Sequence, residues 1–143
     1  IQSFREIELR EELHRRTTEV ELESVKAHLQ PHFLFNTINN IDSMLVKDPQ
    51  RASDYLNKLS DILRYSLFES NSASVAVYAE IDYLKRYLDL QAIRTHIKDF
   101  AIMSVTGNTQ GLYVAPFVFM PFVENAFKHT AKVAQSGAIV ITI

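Results

Sequence analysis

The sequence contains no cysteine and only three glycines, all of them after position 106. Without cysteine there is no disulfide framework, and the composition suits a reducing compartment. Scarce glycine leaves the first two-thirds of the chain with few tight turns, which favours long helices. No apolar stretch reaches the roughly 18 residues needed to span a bilayer, and nothing reads as a signal peptide. An excess of one charge is lacking too. Fifteen Lys and Arg stand against seventeen Asp and Glu, a net charge of -2, so nothing points to nucleic acid or an anionic membrane surface as a partner. What is present is a hydrophobic fraction of 47%, enough to build a core, and a charged fraction of 22%, enough for solubility. A length of 143 residues accommodates one domain, or a helical module with part of a second.

Residues 1–30 are rich in Glu, Arg, Leu and Val and hold neither Gly nor Pro. Leu13, Val20, Leu22, Val25 and Leu29 form a heptad-like stripe with one phase slip between Val20 and Leu22. A stripe this narrow on a polar helix needs a partner helix to cover it, so the expectation is a two-stranded coiled coil rather than a surface helix. The stripe runs on past Pro31 through Leu34, Ile38, Ile41 and Leu45. Lys47-Asp48-Pro49-Gln50 reads as a stop and turn. A second helix follows, with Ala52, Leu56, Leu59, Leu63 and Leu67 in register and Tyr55 and Ile62 widening the face. So short a connection predicts an antiparallel hairpin. Two copies forming a four-helix bundle would complete it.

Glu69 to Ala76 is polar and reads as a loop. Another helix is predicted from about Ala79 to Arg94, with Ile81, Leu84, Leu88 and Gln91 on one side. The texture then changes. Phe100 to Val105 and Leu112 to Val114 have strand character around a turn at Gly107-Asn108. Pro116 is expected to open a helix running to about Lys132, bent by Pro121. Ala138 to Ile143 is β-branched and reads as a strand. So few strands cannot close a core alone, and the chain is expected to stop inside a domain.

Two motifs carry chemistry. The first is Gln30-Pro31-His32-Phe33-Leu34-Phe35-Asn36-Thr37-Ile38-Asn39-Asn40. A proline inside a helix costs about 3 kcal/mol, yet the helical stripe flanks it. A His directly after such a break would be exposed and locally loosened, as suits a nucleophile that meets two partners. A neutral imidazole has a ring nitrogen able to attack a phosphoryl group. The bland alternative is a surface His beside a kink, but three Asn within five positions ask for a further reason, because Asn is a poor helix former. His28 and His32, four apart, mimic a metal-binding pair, though Pro31 interrupts the helix between them and no third ligand is evident.

The second motif is Pro121-Phe122-Val123-Glu124-Asn125-Ala126-Phe127-Lys128-His129. It interrupts a nearly unbroken apolar stretch with Glu-Asn in mid-helix, and Asn125, Lys128 and His129 share one helical face. An amide oxygen suits Mg²⁺, and Lys or His can contact phosphate. The plain alternative is an i, i+4 ion pair between Glu124 and Lys128 on a solvated face.

Taken together, the motifs resemble a family. Residues 26–45 are similar to the phosphoacceptor box of the LytS-type sensor histidine kinases, whose hallmark is a Pro-His-Phe-Leu-Phe-Asn core. Leu59 to Leu67 resembles the second helix of that family. Glu80 to Arg94 resembles the segment entering the catalytic domain, and Pro116 to His129 looks like the N box of the GHKL ATP-binding fold. The order and spacing of all four make chance similarity implausible.

The resemblance implies a mainly α fold: a coiled-coil signalling helix over 1–26, then a dimerisation and histidine phosphotransfer hairpin over 27–70. The first part of an α/β GHKL sandwich would follow over 71–143. It also implies a homodimer that takes a phosphoryl group from ATP–Mg²⁺ onto His32, supported by Asn36. The group then passes to an aspartate on a response-regulator receiver domain. Asn125 would hold Mg²⁺, Lys128 and His129 would lie near the phosphates, and Glu124 would support them. Anchoring of the parent protein through an N-terminal sensor region would make this the cytoplasmic portion of a bacterial inner-membrane protein.

The sequence departs from the family pattern at His28, where many relatives carry Gln, and at Gln30, often Asn. Phe33 follows His32, so no acidic neighbour stands ready to take a proton. The family's Asp-x-Gly-x-Gly adenine box and glycine-rich lid are expected beyond Ile143, so this chain alone should bind ATP weakly or not at all. It would then act as a phosphoacceptor only. The rival readings are a non-enzymatic dimerisation scaffold, which has no need of His32, Asn36 and Asn125 together, and a plain coiled-coil interaction protein, which leaves the Glu-Asn interruption unexplained.

Overall fold

The computed structural model describes residues 3–28 and 30–143, and the side chains of all of these except 20–28 and 70. Among the described residues five α-helices follow in order: α1 (Phe4–His28), α2 (Pro31–Met44), α3 (Pro49–Phe68), α4 (Val77–Thr95) and α5 (Met120–His129). Four short strands accompany them: β1 (Val75–Ala76), β2 (Ala101–Ser104), β3 (Tyr113–Val114) and β4 (Ile139–Thr142). The chain is mainly helical, with a small α/β part at its end.

Pro31 does not sit inside a helical rod. It occupies the first turn of α2, after an extended Gln30 (φ -66, ψ 129). There its missing N–H is one that the helix would leave unbonded anyway, and its fixed φ is already helical. The helical penalty expected of Pro31 therefore does not arise. α3 starts in a similar way, with Pro49 in the first turn and the Asp48 carboxylate accepting from the Arg51 backbone N–H at 3.1 Å. The expected turn at 47–50 is thus a capped helix start, and α2 and α3 pack as a hairpin.

Of the N-terminal stripe, Leu13 is exposed on α1. Val20, Leu22, Val25 and Leu29 lie outside the described side chains. α1 lies against α3.

α4 is the middle of the molecule. Val77, Ile81, Tyr83, Leu84, Tyr87, Leu90 and Ile93 are all buried, along with Glu80 and Gln91, a face wide enough to pack on two sides, while Tyr78, Asp82, Lys85, Asp89 and Ala92 form an exposed stripe. One side meets the hairpin, burying Phe33, Ile41, Ala52, Leu59 and Ile62. Another side meets Phe117, Met120, Val123, Phe127 and Ile139, and all of these belong to one continuous core. Salt bridges rim the α3–α4 seam, Lys58 to Asp89 at 2.8 Å and Arg86 to Asp61 at 3.7 Å. Part of the hairpin's apolar face is thus covered within the chain, while Ile38, Leu45 and Leu56 remain about half exposed.

The segment expected as a plain loop over 69–76 holds a 3-10 turn at Glu69–Asn71 and then β1, which pairs antiparallel with β3, Val75 opposite Val114. α4 starts at Val77, two residues before the expected position. β2 and β4 pair in parallel, Ala101 opposite Ile139, with α5 on the connection between them. The helix expected from Pro116 begins only at Met120, because Phe117 has φ +60, which no α-helix admits. Pro121 then falls in the first turn and bends nothing. The helix ends at His129, where the Thr130 hydroxyl donates back to the Ala126 carbonyl at 2.7 Å.

Candidate functional site

The starting residue of α2 decides where His32 sits. Pro31 and His32 open the helix and are both exposed, while Phe33 turns inward and is buried. One turn on, the Asn36 side-chain amide nitrogen lies 3.2 Å from His32 Nδ1 and 3.3 Å from Nε2. An amide N–H only donates, so the ring nitrogen it meets must carry a lone pair rather than a proton. The near-equal distances leave the choice of nitrogen open. The first turn of a helix also holds backbone N–H groups without intrahelical acceptors and the positive end of the helix dipole. A negatively charged group attached to His32 would find favourable electrostatics there. His28 closes α1 and its side chain lies outside the described residues; among the described residues no group of three His, Cys, Asp or Glu is placed to hold a metal.

α5 carries the second set. Asn125, Lys128 and His129 are exposed on α5, and among the described residues no side-chain hydrogen bond or ion pair engages them. Their amide, ammonium and imidazole groups are therefore available to a ligand. The Glu124–Lys128 ion pair of the plain reading is not among the described salt bridges. Glu124 is instead half buried, and burial raises its carboxyl above the ordinary value. On α4, burial raises the Tyr83 and Tyr87 phenols, and the Glu124 charge adds a smaller rise to each. An exposed amide beside a lysine and a histidine on one helical face fits a Mg²⁺–phosphate group. Among the described residues, no direct bond joins this face to His32 or Asn36. A cavity of about 710 Å³ between the hairpin turn and the end of α4 is lined by Asn40, Lys47, Arg51, His96 and Lys98 among others, and by none of the candidate residues.

Sequence reasoning missed Glu80. It is fully buried in the first turn of α4, and its Oε1 accepts from the Tyr65 hydroxyl at 2.6 Å and from the Phe117 backbone N–H at 2.9 Å. One carboxylate thus ties α3, α4 and the left-handed Phe117 turn together. Burial, followed by the bond to Glu80, pushes the Tyr65 phenol far above its ordinary range. No local pattern could have found it, since Asp82 and Asp89 of the same helix are exposed and only the folding of α3 and the Phe117 turn around α4 sets Glu80 apart.

The family model described as "Histidine kinase" matches residues 20–98, a stretch that contains His32, the hairpin and α4. The chain belongs to the histidine kinase family. It is 33% identical over 119 residues to an "Uncharacterized sensor-like histidine kinase" of Staphylococcus epidermidis. It is 31% identical over 121 residues to "Sensor protein kinase HptS" of Staphylococcus aureus. Each alignment covers 83% of this chain and 23% of the relative, so the chain spans about a quarter of the length of these relatives. No solved structure matches it.

Proposed function

We propose that this chain is the dimerisation and phosphoacceptor region of a LytS-type sensor histidine kinase in a two-component system, with His32 as the phosphorylated residue. The observation that carries the reading is His32 itself: exposed in the first turn of α2, contacted by Asn36, and inside the span matched by the family. In the reaction, the lone pair of a His32 ring nitrogen forms the N–P bond. The bond from the γ-phosphorus to its bridging oxygen breaks, and ADP leaves. The phosphoryl group then passes to an aspartate of a response-regulator receiver domain, regenerating the imidazole.

Residues 27–70 serve as the phosphotransfer hairpin and 71–143 as the opening of a GHKL ATP-binding domain. Asn125 holds Mg²⁺ through its amide oxygen, Lys128 and His129 take phosphate oxygens, and Glu124 supports them from the half-buried side of α5. Mg²⁺ supplies charge neutralisation at the phosphates. Ile38, Leu45 and Leu56, exposed on adjacent helices, offer a face to a second copy, with α1 as the coiled-coil entry. No described helix is long and apolar enough to cross a membrane; anchoring belongs to a sensor region N-terminal to this stretch, which makes this part cytoplasmic.

The test is to incubate the chain with radiolabelled ATP and a full-length catalytic partner, comparing wild type with His32→Gln and His28→Gln. The expected result is acid-labile, base-stable label that disappears only in His32→Gln. Absence of label on wild type, while the partner labels itself, would favour the non-enzymatic scaffold.

A further inference from the structure

The buried aromatic rings are not spread evenly through the core. Phe33, the residue after His32, stacks at a tilt on Tyr87 of α4, with ring centroids 4.8 Å apart and planes at 32°. The opposite reach of Tyr87 meets Phe127 of α5 edge-on, at 6.0 Å and 77°. Phe127 precedes Lys128 and follows Asn125 by two positions, and its own ring stacks on Phe100 at 6.1 Å. α2 packs on α3 and α4, and its described aromatic link to α5 runs through the Tyr87 ring.

Tyr87 is itself held firmly. It is 2% exposed, and its hydroxyl accepts from Gln91 Nε2 at 2.9 Å. Burial pushes the phenol up to about 12, with the Gln91 bond opposing and the Glu124 carboxylate adding to the rise, so it stays neutral at physiological pH. Successive residues on a helix fan out by about 100°. A buried Phe33 therefore fixes the direction in which His32 leaves α2, and a buried Phe127 does the same for Lys128 on α5.

We propose that Tyr87 is a positioning residue for phosphoryl transfer, one ring that sets the helix carrying His32 and the helix carrying Asn125 and Lys128 in a common frame. This rests on the kinase reading above. Tyr87 touches neither ATP nor His32 and acts through Phe33 and Phe127. Its removal should therefore slow the transfer step while leaving both ATP binding and the intrinsic reactivity of His32 in place.

The experiment uses the full-length protein that carries this chain and follows labelling of His32 from two donors. ATP requires the two helices to be aligned. Phosphoramidate hands its phosphoryl group to an imidazole with loss of ammonia and requires only an accessible ring. For Tyr87→Leu the expected result is a fall of about ten-fold in kcat with ATP, with KM for ATP within about two-fold of wild type and labelling by phosphoramidate unchanged. Tyr87→Phe keeps both ring contacts and loses only the Gln91 bond, so it restores kcat. Phe127→Leu repeats the Tyr87→Leu signature and carries the test if Tyr87→Leu does not fold. Wild-type kcat in both leucine variants overturns the proposal. So does a Tyr87→Phe variant as slow as Tyr87→Leu, or an equal loss with both donors. Failure of the kinase reading looks different: wild type takes no label from ATP, or takes label that survives His32→Gln.

Discussion

At the scale of single residues, the chain places two carboxylates where charge is awkward, and each has a measurable signature. Glu80 is buried with one oxygen bonded twice and the other, Oε2, without a partner among the described residues. Tyr65→Phe removes a donor from an ionisable group that water cannot reach. The expected cost is about 1.5–3 kcal/mol, the range for hydrogen bonds to charged groups, read from urea denaturation. Glu124 illustrates the opposite sign. Its folded-state pKa is raised by burial, so its favourable contribution is present below the ordinary carboxylate pKa and is lost as pH rises through the raised value. At neutral pH the charged form therefore costs stability. Glu124→Gln should raise the thermal midpoint at pH 7, with the advantage shrinking in acid, as calorimetry across pH would record. The same change should slow phosphorylation if Glu124 supports the phosphate site. His32, Asn36 and Asn125 could be singled out from sequence because each breaks a local expectation: a nucleophile beside a proline, amides in a helix, a polar pair in an apolar run. Glu80 and Tyr87 break none. An acid and an aromatic at helical spacing look ordinary until α3 and α5 are folded around them.

At the scale of elements, helix starts explain most of the difference between pattern and structure. Apolar periodicity marks the hairpin helices and α4, but it runs straight through Pro31, and Pro49 reads as a stop and Pro121 as a bend, where each of the three is a helix beginning. Pro31, Pro49 and Pro121 all stand in first turns, the one place where a missing N–H goes unnoticed. This yields a clean contrast. Pro31→Ala should lose less than about 1 kcal/mol, through added freedom in the unfolded chain. A proline in mid-helix would instead give back about 3 kcal/mol on replacement. Asp48→Ala removes the carboxylate that caps α3 and should cost about 1 kcal/mol, measured by chemical denaturation of both variants side by side. The late start of α5 was not readable in the same way. It depends on the left-handed Phe117, whose N–H is fixed by Glu80 from 37 positions earlier, and no local pattern reports so distant a bond.

At the scale of the whole molecule, the hairpin has two apolar faces with different fates. α4 covers one of them, which the stripes alone could not reveal, since they do not say whether the covering helix belongs to the same chain or another. Leu56, 52% exposed, marks the uncovered face. Leu56→Glu leaves the described core untouched and should shift a dimer towards monomer in analytical ultracentrifugation, with helical content by circular dichroism unchanged. An unchanged sedimentation profile would count against a dimer built on this face.

The interior position of α4 reaches further than packing. A helix that backs the hairpin on one side and α5 with its parallel strands on the other cannot let go of either without exposing a surface that the other still needs covered. The amides of α4 are therefore expected to exchange with solvent only when everything around them opens, and the two halves of the chain to melt as a single cooperative unit. A signal that loosens the hairpin would in that way be felt at α5 without any ligand crossing the distance between them.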